Sequence, residues 1–195
     1  MTAPILRRQS DLDDLERLAL IPISHSRLDT YTTCAAKYYY TYIVKLDRLF
    51  GPAAALGNIV HGVLEHLEEL DLNDMLQIME TQKEKYDPQA QIDQALIDAG
   101  WRMLVDYADR HMGQTPEVLG REMEFNLVVG SALINGFIDR VERDPDGTVR
   151  VTDFKTGTWE YRGKPCDNLQ LGMYALAVAD LFGVSEVYAE LYYLR

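Results

Sequence analysis

The sequence predicts an α/β domain whose central mixed β-sheet combines an antiparallel meander with one strand reached through a crossover helix, flanked by helices. Three observations carry that expectation. Up to about residue 113 apolar residues recur at helical spacing; after Pro116 three strand-like runs follow one another across short turns; a helix-like run and a last strand-like run then close the chain. A meander that returns through a helix to one more strand makes a mixed sheet packed by helices.

Residues 1–22 read as a leader ending at Pro22, and 23–195 as a single domain with a helical N-terminal half and an α/β core over 116–195. The stretch ISHSRLDTYTTCAAKYYYTYIVKL reads as a helix capped by Ser24 or Ser26 and rich in aromatic residues. In LGNIVHGVLEHLEELDLNDMLQIMETQKEKY, apolar residues at 56, 60, 63, 64, 67 and 70 keep a helical period. PQAQIDQALIDAGWRMLVDYADRHMG is a further amphipathic helix, opened by Pro88 and closed by Gly113. EVLGREMEFNLVVG, ALINGFIDRVER and GTVRVTDFKT are the three strands, DNLQLGMYALAVADLFG the crossover helix and SEVYAELYYL the closing strand.

The turn Asp144-Pro145-Asp146-Gly147 has the residues of a type I turn followed by a left-handed glycine bulge. It pairs residue 144 with 148, and counting back sets Asp139 opposite Asp153 and Phe137 opposite Lys155; a two-residue loop would slip this by one. Asp153 and Lys155 share one face of their strand while Phe154 takes the other. Such an acid and lysine are either an exposed ion pair or a catalytic pair. Two facing carboxylates at the end of faces that also carry Leu133, Phe137, Val141, Val149 and Val151 need a positive partner, and a divalent cation supplies one. The alternative is that both acids decorate the hairpin in solvent.

Composition sets the bounds. With 47% hydrophobic and 26% charged residues the chain reads as a soluble globular protein, and it lacks both a membrane-length apolar run and a signal peptide. Only Cys34 and Cys166 are present, so a reduced, cytoplasmic protein without a disulfide is expected. A net charge of −12 argues against non-specific wrapping of nucleic acid, although Arg27, Lys37, Lys45 and Arg48 form a local basic group.

The segment GFIDRVERDPDGTVRVTDFKTG resembles the core motif of the RecB-like branch of the PD-(D/E)XK nuclease superfamily. ALGNIVHGVLE is similar to that family's helix with a metal-binding histidine, EMEF to its short acidic strand, LQLGMYAL to its Gln-x-x-x-Tyr helix, and ISHSRLDTYTTCAAKYYYTYI to its opening segment. The resemblance spans roughly 23–195 and implies a restriction-endonuclease-like fold. It also implies a Mg²⁺- or Mn²⁺-dependent deoxyribonuclease, an exonuclease on single-stranded DNA or duplex ends, with DNA as partner, a helicase or other repair and recombination protein beside it, and no membrane. By the same resemblance Asp139, Asp153, Lys155 and Glu122 are catalytic, and His61, Asp139, Asp153 and the Phe154 backbone carbonyl hold the metal. Gln170, Tyr174, Arg27 and Lys37 would contact substrate. Hard oxygens suit Mg²⁺, and one histidine nitrogen shifts the preference towards Mn²⁺. Lys155 would orient the attacking water. The rival readings are a non-catalytic DNA-binding or scaffolding module on the same fold, which would be expected to lack an acid or the lysine, and an RNA-acting hydrolase with the same chemistry.

Other residues have plainer readings. His66 belongs to a polar helix face, Arg140 to a structural ion pair, and Trp159 to a loop near substrate. Of Tyr38, Tyr39, Tyr40 and Tyr42, at least half are expected to pack inward; the rest could stack bases of a single strand beside Lys37 and Lys45. Cys34 matches the first of four cysteines that ligate an iron–sulfur cluster in some relatives, but a cubane takes four thiolates and this chain has two, which argues against a cluster. The chain ends at Arg195 where relatives continue, so it reads either as a minimal version or as one cut short of further cysteines.

Overall fold

The computed structural model describes residues 6–8, 22–46, 51–67, 72–88, 91–111, 116–130, 132–158 and 160–195. Most of the expected leader, Arg48, Gly113 and Trp159 lie outside the described residues. Strand β1 (Leu6–Arg8), within the stretch read as a leader, pairs antiparallel with a later strand, and β2 (Pro22–Ile23) leads into the helical half. Helices α1 (His25–Thr33), α2 (Ala35–Tyr38), α3 (Pro52–Leu64), α4 (Leu72–Tyr86) and α5 (Gln94–His111) follow. Then come β3 (Glu117–Val129), β4 (Ala132–Arg143), β5 (Val149–Lys155), α6 (Leu169–Phe182) and β6 (Val187–Tyr193).

The six-stranded sheet runs β1-β3-β4-β5-β6, antiparallel except for the parallel β5–β6 pair, and β2 lies parallel to the start of β4. This is the mixed, helix-flanked sheet expected from the sequence. The β4–β5 turn forms as its residues dictate: Gly147 N–H donates to Asp144 O (2.8 Å), Asp144 N–H to Thr148 O (2.9 Å), and Gly147 takes φ 91°, a value a side chain would resist. The register follows the count through Arg143↔Val149, Val141↔Val151 and Arg140↔Thr152. Pairing stops there. Asp139 and Asp153 come next, and the Asp139 carboxylate takes the Phe154 N–H at 2.7 Å.

The long helix expected from Ser24 onward is broken. Ser24 caps α1 through a bond from Arg27 N–H, but Cys34 is extended (φ −158°, ψ 103°), ending α1 and capping α2. A single π turn over Tyr39–Ile43 follows. Thr30 and Thr32 hydroxyls bond back to the Ser26 and Leu28 carbonyls, a competition that weakens a helix near its end. The run read as one helical stretch from residue 56 to 86 forms two packed helices, α3 and α4. Asp93 rather than Pro88 opens α5, accepting from Leu96 N–H at 2.8 Å.

Two cores cover the two faces of the sheet. On one side α3, α4 and α5 bury Ile59, Val60, Val63, Met75 and Leu104 together with Phe154 and Leu194. On the other, Tyr174, Ala177 and Val178 of α6 meet Val149 and Val151 of β5 and Ile138 of β4. Gly57 lets α3 approach the end of β5, since a β-carbon there would lie 3.2 Å from Thr156 Oγ1. One turn later, on the same side of the helix, comes His61. Arg140 forms the expected ion pair, 2.7 Å from Glu142 and almost wholly buried. No helix among the described residues is long and apolar enough to cross a membrane. Ile59 is fully buried between His61 and Gly57. Ile59→Ala is expected to cost about 2–5 kcal/mol, measured by urea unfolding.

Candidate active site

The site forms where β4 and β5 part. Asp139 follows the last β4–β5 pair, Asp153 and Lys155 end β5, and α3 brings His61 across from the helical side. His61 Nδ1 lies 3.5 Å from Asp139 Oδ1, and the His61 ring meets Phe154 edge-on. Glu122, on β3, completes the group: one ligand atom each from His61, Glu122 and Asp139 lie within 4.8 Å of one another, a set that could hold a metal ion. One imidazole nitrogen and two carboxylate oxygens suit a hard or borderline divalent cation. Glu122 sits at φ +41°, an uncommon conformation for a residue with a side chain.

Asp153 is held differently. Its Oδ1 accepts from Gln170 Nε2 at 2.8 Å, and its Oδ2 lies 2.5 Å from Lys155 Nζ, without the alignment of a hydrogen bond. Lys155 Nζ in turn donates to Gln170 Oε1 (3.2 Å), and Gln170 Nε2 also donates to the Tyr174 hydroxyl (2.9 Å). One amide from α6 thus orients the acid and the lysine together. Asn168 caps that helix, accepting from Leu171 N–H, so Gln170 comes from the first turn at a fixed position.

The electrostatics follow from burial and crowding. Burial pushes the Asp153 carboxyl up to about 6, with Asp139 adding to the shift and Lys155 opposing it. Burial and then Asp139 raise Glu122 above the usual carboxylate range. For His61 burial works against protonation, but the hydrogen bond and charge of Asp139, with Glu122 and Asp153 behind, outweigh it and raise its pKa. Burial dominates the shifts of Asp153 and Glu122, and neighbouring carboxylates add to all three. A divalent cation fits that crowding of acids.

The residues 22–195 match the sequence profile of the PD-(D/E)XK nuclease superfamily. The chain belongs to that superfamily. Two curated relatives resemble it over a shorter stretch: the Gene 69 protein of Mycobacterium phage D29 is 44% identical over 63 residues, 32% of this chain and 21% of its own length. The Gene 69 protein of Mycobacterium phage L5 is 43% identical over 63 residues, 32% of this chain and 20% of its own length. The match therefore takes in about a fifth of either phage protein. Metal-dependent nucleases make up that superfamily, and a His61, Glu122 and Asp139 group able to hold a metal is present here.

Within this PD-(D/E)XK domain, the structure brings together His61, Glu122, Asp139, Asp153, Lys155 and Gln170. Tyr174 is buried and meets the group through its hydroxyl, which accepts from Gln170 Nε2. The Arg27 guanidinium is engaged inside the chain, donating to Pro22 O (2.9 Å) and the Tyr38 hydroxyl (3.3 Å) and lying 5.1 Å from the Tyr42 ring centre. Lys37 is exposed. His25, not singled out from the sequence, has its pKa lowered by burial, with Asp29 opposing the shift and Lys155 adding a smaller push in the same direction. No pattern in the sequence marks His25, because it is the packing of α1 near α6 that sets its surroundings.

The signs of these shifts define a test. An acid whose folded pKa exceeds its unfolded one stabilises the fold while protonated, and that contribution is lost as pH rises through the folded value. Measured by thermal unfolding without metal, the wild type should gain Tm relative to Asp153→Asn when pH falls from about 7.5 to about 5.5. Parallel Tm curves for the two proteins would contradict the geometry.

Proposed function

We propose that the protein is a metal-dependent deoxyribonuclease of the RecB-like branch, hydrolysing phosphodiester bonds as an exonuclease on single-stranded DNA or duplex ends. The observation that carries this is the fork between β4 and β5, where Asp139 within β4 stands beside Asp153 and Lys155 at the end of β5 in a PD-(D/E)XK domain. His61, Glu122 and Asp139 are the residues that would hold Mg²⁺ or Mn²⁺, with Asp153 and the Phe154 carbonyl as the further oxygens the sequence suggests. A cation bound there supplies Lewis acidity to the phosphate and makes water nucleophilic near neutral pH.

The chain's own groups do the rest. The Lys155 side chain is about one-third exposed, so its ammonium can donate to an incoming water or a phosphate oxygen while Asp153 and Gln170 hold it in place. Its fixed positive charge then stabilises the negative charge that builds on the phosphate as the bond breaks. Asp139 is oriented through Oδ2 by the Phe154 N–H and through Oδ1 by His61, so the carboxylate is directed rather than free to rotate. Gln170 and Tyr174 support this set from behind. A helicase partner is implied for the sequence by resemblance alone and forms no part of the proposal.

Labelled single- and double-stranded DNA, and RNA, incubated with Mg²⁺, Mn²⁺ or EDTA test the reading. Degradation of DNA from its ends, dependent on metal, is the expected result; binding without cleavage would instead support a scaffolding module. Asp153→Ala and Lys155→Ala should each lower the cleavage rate by at least about 100-fold with the circular dichroism spectrum unchanged. Equal activity of Lys155→Ala and wild type would end the proposed role of the lysine.

A further inference from the structure

The tyrosine-rich segment has no role in the site, yet it is built unlike the rest of the surface. Between Pro22 and Leu46 stand five of the chain's 12 tyrosines, with Arg27, Lys37 and Lys45 against a single acid, Asp29, in a protein whose net charge is −12. None of these tyrosines enters a core. Tyr31, Tyr39 and Tyr40 are 56%, 52% and 54% exposed, and Ile43 and Leu46 are exposed beside them. Tyr38 and Tyr42 are half-buried beneath Arg27 and serve as support: Tyr38 meets the outer Tyr31 edge-on at 5.4 Å, and Arg27 bridges both inner rings. Beside Tyr31 and Tyr38, a cleft of about 230 Å³ is closed by Pro22, Ile23 and Leu28.

We infer that this surface, formed by α1, α2 and the π turn, holds a single strand of nucleic acid by stacking its bases on Tyr31, Tyr39 and Tyr40, with Lys37 and Lys45 on its phosphates. The inference rests on the nuclease reading for its choice of ligand and adds the route by which a strand reaches the site. Four features support it. Large aromatic faces left in water are costly unless something covers them. Aromatic rings interleaved with cations are the pattern that grips single strands without reading their sequence. The local charge is positive where the remainder of the protein is strongly negative, which favours a polyanion here and disfavours it elsewhere. The segment also starts beside the site: α1 packs against α6, the helix that carries Gln170. A strand lying along α1 therefore leads towards the fork. Base edges meet no fixed donor or acceptor in this arrangement, so the grip is tolerant of sequence.

The experiment measures binding of a fluorescein-labelled oligothymidylate of about 20 nucleotides by anisotropy, in EDTA so that nothing is cleaved. Tyr31→Ala combined with Tyr39→Ala and Tyr40→Ala should weaken binding by at least about tenfold, whereas the three Tyr→Phe substitutions should keep it. Lys37→Ala with Lys45→Ala should reduce the slope of log affinity against log salt by about 1.4, the share of two phosphate contacts on a single strand. A duplex of equal length should be insensitive to the ring substitutions, since its bases are already stacked. Circular dichroism checks that each variant is folded.

Wild-type affinity retained in the triple alanine variant would overturn the inference. So would a change of oligomeric state with DNA binding unaffected, which would make the patch a protein contact. Cleavage activity is assayed in parallel: a protein that degrades DNA with these tyrosines irrelevant keeps the nuclease reading and loses the stacking surface. One that binds the strand through them but cleaves nothing does the reverse.

Discussion

Two carboxylates that ought to repel are held at the point where a β-hairpin stops pairing, and the surrounding structure is arranged around that repulsion. Asp139 and Asp153 occupy the next step of a ladder whose last formed pair is Arg140↔Thr152. Had the ladder continued, the acids would face each other in a dry sheet, where unpaired charge is expensive. The strands part instead, and each acid finds separate partners. Asp139 accepts the amide of Phe154 that the ladder leaves over and meets His61, while Asp153 is gripped by Gln170 and Lys155. Both helical layers are needed for this. The helix α3 supplies one set of partners and α6 the other, so the site is the seam between two cores rather than a feature of either.

That division explains why Phe154 lies between two polar residues of the same strand. Its ring faces α3 and α5, packing edge-on against Tyr107 and Tyr192, while its neighbours face α6. The aromatic anchor fixes the strand's height against the helices, and the acid and lysine inherit that position. Gly57 serves the same end from the other side, because a β-carbon there would force α3 or Thr156 to give by a few tenths of an ångström. The placement of His61 is thus set by apolar packing, and its chemistry by the acids it meets.

Much of this could be read from the residues. The register of the hairpin followed from Asp144, Pro145 and Gly147, since turn chemistry is local and has few solutions. The pairing of Gln170 with Tyr174 followed from their spacing on one helix. What escaped was decided by long-range packing or by local competition. The helix break at Cys34 depends on threonine hydroxyls that bond backward, and propensity alone could not place it. Strand β1 lies among charged residues with no alternating pattern, and its place at the edge is set by Leu127–Val129. The ladder's early end could not be foreseen, because the rule that counts pairs carries no term for the charges at its last step.

The left-handed backbone at Glu122 has a consequence for anyone altering this centre. The direction in which that carboxylate leaves the chain is chosen by a main-chain torsion that ordinary residues avoid, at a cost of order 1 kcal/mol. A glycine there would also relax the main chain and so confounds two changes, whereas an alanine keeps the β-carbon and its strain. Replacing the acid by its amide, Glu122→Gln, keeps the bulk and the unusual torsion and subtracts only the charge. Position 122 is therefore a place where shape and electrostatics are separable by a single atom.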